Sequence, residues 1–227
     1  MKNKKEATTL ANCMKRIGEL ANKQTICVLT KMEEPVGYNI GNTLEVIEAI
    51  ECLKGNMPDD VREIVETIGA YMLELAGKGN KFEENKMAIR QVIENGKAYE
   101  KFIELVKNQN GDISYIEDTE KFEKAKHIIP VLSTREGYIE ELDAEMVGSL
   151  SVYLGAGRMK KEDEIDPLAG IVLVKKIGDK VSVGEAIAYI HTNKEEKLKG
   201  ATSNLLQAFI IGDKPVKKEK AIIGVIK

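Results

Sequence analysis

The sequence predicts two folds in series. Residues 1–120 read as a partial α/β domain, a parallel sheet with helices, and residues 121–227 as an α+β, barrel-sandwich-like domain. Three observations predict this. A helix-period stretch, a short apolar run, a glycine-bearing loop and a second helix follow one another over the first 55 residues. Helical periodicity alone continues to about residue 108. From His127 onward, short β-prone runs recur between Gly, Asp and Pro turn signals.

Residues 6–21 (EATTLANCMKRIGELA) place Ala7, Leu10, Ala11, Met14, Ile17 and either Leu20 or Ala21 on one face of a helix. The run 25–30 (TICVLT) is a strand. The stretch 31–55 (KMEEPVGYNIGNTLEVIEAIECLKG) is a loop with Pro35, Gly37 and Gly41, then a helix over 43–54. Asn42 is the expected N-cap, with Glu45 completing a capping box and Gly55 stopping the helix. Helix, strand and helix form a piece of a βαβ array. A lone parallel strand cannot bury both faces, so the sequence reads as the middle of a fold whose first part is absent. Three further helices follow. One runs from Pro58, expected at N1, to about Ala76, and the others span Phe82–Glu94 and Ala98–Asn108.

Residues 112–126 are polar and loop-like. Beyond them HIIPVLS, GYIEEL, GIVLVKK, KVSVG and AIAYIHT are short strands, and Ala144–Leu154 is a helix ending at Gly155–Ala156–Gly157. The pairs Gly178–Asp179 and Gly184–Glu185 are turn signals, each followed by alternating apolar residues. That layout over 177–194 is the one seen in lipoyl- and biotinyl-type domains, and Lys194 falls near the carrier-lysine position. Either Lys194 carries a group or it is an exposed lysine on a carrier-like fold. Its neighbours Asn193 and Glu195 match the usual Asp-Lys-Ala tip only in part.

Composition excludes several classes. The chain has 227 residues, 43% apolar and 31% charged, with a net charge of −3 and no basic face, which argues against nucleic acid. No run approaches a membrane span, and no signal-peptide core follows the basic N-terminus. Cys13, Cys27 and Cys52 are widely spaced and are expected as buried free thiols in a reducing cytoplasm. His127 and His191 sit at the edges of apolar runs, away from any nucleophile motif. Gly37–Thr43 echoes a phosphate loop, but the spacing is one residue short and Asn42 replaces the lysine. Gly155–Ala156–Gly157–Arg158 either holds an anion on its amides or packs a helix end. In an α/β sheet, ligands gather at the carboxyl ends of strands. There the 31–41 loop offers carbonyl oxygens and Glu48 a carboxylate, a combination that suits a cation better than a phosphate.

These stretches carry a resemblance. Met1–Lys2, TICVLTKMEEPVGYNIGNTLEVIEAIECLKG, GYIEELDAEMVG, LGAGRMKKEDEID and GIVLVKKIGDKVSVGEAIAYIHTN together resemble the pyrimidine-nucleoside (thymidine) phosphorylase family from Met1 to about Asn193. The resemblance implies a glycosyltransferase of nucleoside salvage. Phosphate displaces the base from a pyrimidine nucleoside, giving free base and ribose or deoxyribose 1-phosphate through an oxocarbenium-like transition state. It also implies that the residues gripping phosphate and base lie upstream of the matched part. No catalytic residue is therefore assigned here, and the partners expected are an upstream phosphorylase half, a pyrimidine nucleoside and inorganic phosphate. Family members are dimers through largely upstream helices, which leaves homodimerisation open. An inactive fragment is the competing expectation.

The family's potassium site carries over in part. Two loop carbonyls and one helix glutamate contribute to it, and the matching positions are Val36, Asn39 and Glu48. A hard cation with oxygen ligands suits that set. Alternatively, Glu48 only caps loop amides.

Overall fold

A computed structural model describes residues 3–227, and Met1–Lys2, the first match of the resemblance, lies outside the described residues. The chain forms two compact units, each built from separated segments. Of the described residues, one holds 3–32, 57–98 and 219–227, and the other 33–56 and 99–218.

In the first unit, α1 (Lys4–Leu20) is capped by Asn3, whose side chain accepts from the Glu6 amide. It leads into β1 (Cys27–Thr30). β1 was expected in a parallel sheet. It pairs antiparallel instead with the last strand of the chain, residues 222–226, with Cys27 opposite Ile226 and Leu29 opposite Gly224. Helix–strand–helix order predicts a parallel neighbour only if the next strand returns to the same sheet. Here the intervening chain builds the other unit, and the C-terminus comes back from the opposite direction. Among the described residues every pair of hydrogen-bonded strands is antiparallel.

The second unit opens with β2 (Asn39–Ile40) and α2 (Asn42–Leu53). α2 is capped one residue earlier than expected. Gly41, at φ 134°, is the N-cap, the Glu45 carboxylate accepts from its amide, and Asn42 turns away to donate to the Ala156 carbonyl. Gly55, at φ 103°, follows the C-cap as the sequence indicated.

The chain then re-enters the first unit with α3 (Asp59–Leu75) and α4 (Phe82–Glu94). Pro58 is the N-cap rather than N1. An ion cluster around one buried carboxylate joins the pair. Glu66, 1% exposed, takes Arg90 Nε and Nη2 at 2.8 and 2.7 Å, with Arg62 and Lys86 at 3.9 and 4.0 Å. The Arg90 hydrogen bonds hold the Glu66 carboxyl below its ordinary pKa. Asn85 Nδ2 bonds the Ala70 carbonyl, and Tyr71 stacks obliquely on Phe82 with centroids 4.7 Å apart. Apolar burial contributes little. Among the described residues of this unit, only Ala11, Ala70 and Ile93 are buried apolar side chains.

After α5 (Lys97–Asn108) and the one-turn α6 (Ser114–Glu117), the second unit completes itself with β3 (His127–Leu132), β4 (Gly137–Leu142), α7 (Ala144–Ser151), β5 (Gly170–Leu173), β6 (Lys180–Val181), β7 (Ala186–Thr192), α8 (Ala201–Gln207) and β8 (Phe209–Gly212); β9 is the returning strand Ile222–Ile226. The expected barrel-sandwich is not closed. Two separate antiparallel sheets form, in the orders β2–β5–β7–β3 and β6–β4–β8. Two-residue β2 and β6 are too short to carry hydrogen bonding around a barrel. Between the sheets and helices lies one apolar core. Ile139, Leu142, Val147, Leu154, Ile171, Val181, Ile187, Ile190 and Leu205 are fully buried there.

Candidate functional site

Sequence placed the candidate site on the loop before α2, and the structure shows what holds that loop. Pro35 and Gly37 are buried, and Gly37 takes φ +71°. A Cβ built on Gly37 would lie 2.2 Å from Glu48 Oε2, so the carboxylate rests directly against this glycine. Glu48 Oε1 accepts from the Tyr38 amide at 2.8 Å. On the strand side, Tyr38 O accepts from the Leu173 amide at 2.7 Å.

The decisive residue is one the sequence did not single out. Lys176 is 4% exposed, and its Nζ donates to Pro35 O at 2.7 Å and to Gly37 O at 3.2 Å. The same ammonium lies 5.3 Å from the Tyr38 ring centroid. The turn after β5 aims it. Asp179 accepts from the Lys176 amide at 2.8 Å, and Glu34 accepts from the Ile177 amide at 2.9 Å. Lys175–Lys176 looks like a solvated pair in sequence, and no local pattern reveals that the second lysine is buried under a loop 140 residues away.

The three cation-site positions fall as follows. Val36 lies between the two carbonyls that Lys176 holds, Asn39 opens β2 opposite Val172, and Glu48 lies on α2 with its carboxylate at the Gly37–Tyr38 peptide. The donor set is all oxygen, which fits a hard cation, but hard cations take about six or more oxygens and this loop offers three. Lys176 also brings its own positive charge to the loop. Among the described residues no group of three or more His, Cys, Asp or Glu side chains could hold a metal. The Glu48 carboxylate accepts from one loop amide, that of Tyr38.

The glycines that echo a phosphate loop serve packing. A Cβ on Gly41 would meet Ala169 O at 2.4 Å, the Gly41 amide donates to Glu45 Oε1, and the Thr43 amide donates to Pro167 O. Gly155–Ala156–Gly157 ends a π-type turn. Its carbonyls tie it to the rest of the unit: Gly155 O takes the Asp166 amide and Ala156 O takes Asn42 Nδ2. Asp166 Oδ1 in turn accepts from Leu168 N and Asn193 Nδ2. Arg158 is exposed.

Comparison with known proteins adds the family. The sequence model described as pyrimidine nucleoside phosphorylase C-terminal domain matches residues 138–212. The chain is 44% identical over 195 residues to a pyrimidine-nucleoside phosphorylase of Bacillus subtilis (strain 168), covering 86% of this chain and 45% of that protein. By sequence the chain is related to the pyrimidine nucleoside phosphorylases over most of its own length. Pyrimidine-nucleoside phosphorylases of Staphylococcus aureus strains RF122 and USA300 are 42% identical over 196 residues, again 86% of this chain and 45% of theirs. The chain thus spans a little under half the length of these relatives.

Within this phosphorylase relative, Lys176 and its turn lie inside the matched C-terminal domain, and Val36, Asn39 and Glu48 lie outside it. Lys194 is not at a hairpin tip. β7 runs on into a 3-10 turn at Glu195–Lys197 and then α8, and the Lys194 amide bonds Thr192 Oγ1. The histidines occupy neighbouring strands, His127 on β3 and His191 on β7, where burial pushes the His191 pKa down. The thiols are free, but only Cys52 is buried, Cys27 is half-buried, and Cys13 is exposed. No helix of the described residues is long and apolar enough to cross a membrane.

Proposed function

We propose that the chain is the C-terminal portion of a cytoplasmic pyrimidine-nucleoside phosphorylase and that it works together with an N-terminal portion like the one its relatives carry. The observation that carries this is the 44% identity to the Bacillus subtilis enzyme over 195 residues, confined to 45% of that enzyme. The complete assembly transfers a pentosyl group. A phosphate oxygen bonds to C1′ as the glycosidic bond to the pyrimidine breaks, and the electron pair leaves with the base. No residue of this chain is assigned a part in that step. Its contribution is scaffolding: Lys176 and Glu48 hold the loop that borders the site. Potassium, bound by the Val36 and Asn39 carbonyls and Glu48 with further oxygens from the other portion, would supply positive charge that braces this loop. The carrier reading loses its support with Lys194 away from a hairpin tip.

The test is co-expression with the N-terminal part of the Bacillus subtilis relative, assaying base release from uridine and thymidine with inorganic phosphate, in potassium and in choline salts. We expect no release by the chain alone and potassium-dependent release by the pair. An inactive co-purified pair overturns the functional reading, release by the chain alone overturns the need for a second portion, and equal rates in both salts overturn the cation assignment.

A further inference from the structure

The apolar stripe of α1 is exposed. Leu10, Met14 and Ile17 recur at i, i+4 and i+7, the spacing of a core-facing helix. Yet they are 46, 53 and 61% exposed, Leu20 beyond them is 78% exposed, and Ala11 is the helix's buried residue. A second stripe, Val65, Ile68, Met72 and Leu75 on α3, is exposed in the same unit. Scattered exposed apolar residues are ordinary, but a periodic stripe on a unit with so few buried apolar side chains marks a contact surface.

The adjoining sheet shows the same deficit. β1 is four residues long and, among the described residues, pairs only with β9. A two-stranded sheet is marginal alone, and three or more strands are usually needed for independent stability. One edge of this sheet is therefore available for a further strand, beside a helix whose apolar face needs cover.

We infer that the α1 stripe and the open sheet edge form the docking surface for the N-terminal portion of the phosphorylase, which would add a strand to the sheet and lay apolar side chains on Leu10, Met14 and Ile17. The occupant is chosen by length. The relatives carry more than half of their sequence outside the part this chain matches, a polypeptide large enough to supply a strand and a covering layer. A second copy of this chain brings the same stripe but leaves that polypeptide unaccounted for. The inference rests on the functional reading above, and the experiment separates the two.

The test co-expresses the full chain, wild type or Leu10→Gln/Met14→Gln/Ile17→Gln, with the N-terminal part of the Bacillus subtilis relative. Complex formation is read by co-purification and titration, and base release is read in parallel. Gln keeps helix propensity, and the three side chains are already exposed, so the variant chain alone should keep its circular dichroism and Tm. We expect a one-to-one complex for wild type, weakened at least ~100-fold in the triple variant. Met159→Gln/Val183→Gln, equally exposed but in the other unit, should bind as wild type does. Undiminished binding and base release in the triple variant overturn the docking surface and leave the functional reading standing. A stripe-dependent complex without base release does the reverse. Absence of any wild-type complex, or a stripe-dependent homodimer in its place, overturns the inference.

Discussion

Replacing Lys176 with Met tests the clamp on the loop before α2. The substitution keeps an unbranched side chain of similar length and removes the ammonium that donates to Pro35 O and Gly37 O. Each charge-assisted hydrogen bond is worth about 1.5–3 kcal/mol. Against their loss stands the recovered cost of keeping a charge in a 4% exposed position, so the net expectation is a destabilisation of about 2–4 kcal/mol. With a urea m-value of roughly 2 kcal/mol/M, the midpoint should fall by about 1–2 M. Amide hydrogen exchange gives the local readout. The Tyr38 amide bonds Glu48, and the Leu173 amide bonds Tyr38 O, so both protect the loop's seat and both should exchange faster in the variant. A midpoint within 0.3 M of wild type, as a rough threshold, together with unchanged protection at Tyr38 and Leu173 would refute the reasoning.

Two further perturbations probe the same unit. Gly37→Ala forces a φ of +71° on a side-chain-bearing residue and drives its methyl into Glu48, for a cost of about 2–3 kcal/mol. In a Glu48→Ala background the clash is gone and only the backbone term, about 1 kcal/mol, should remain; additive losses in the double-mutant cycle would show that the two residues do not touch. His191 contributes a pH dependence near neutrality. Burial depresses its folded pKa below 6.5, so unfolded chains take up the proton first. Its share of stability is intact above about 6.5 and is lost as pH falls from there through the folded value. His191→Phe should flatten the change in urea midpoint between pH 7.5 and pH 5 relative to wild type, and parallel profiles would exclude this assignment.

Local physics was legible in the sequence. Apolar spacing gave the helices, the runs 127–133, 137–142, 170–176 and 186–192 each hold a strand, shorter than the run at 127–132 and 170–173, and Gly55, Gly178 and Gly184 marked turns that do take positive φ. The family resemblance was carried by motifs that comparison then supported. Which strands meet was not legible, because pairing joins residues far apart. β1 finds β9 nearly 200 residues later, and two residues of an apparent loop become β2 at the edge of a sheet. Sequence alone set Val36, Asn39 and Glu48 on one loop and helix. Only the tertiary structure decided that the loop is seated by a lysine from beyond β5, since burial of an ammonium depends on where its carbonyl partners arrive in space and not on the residues beside it.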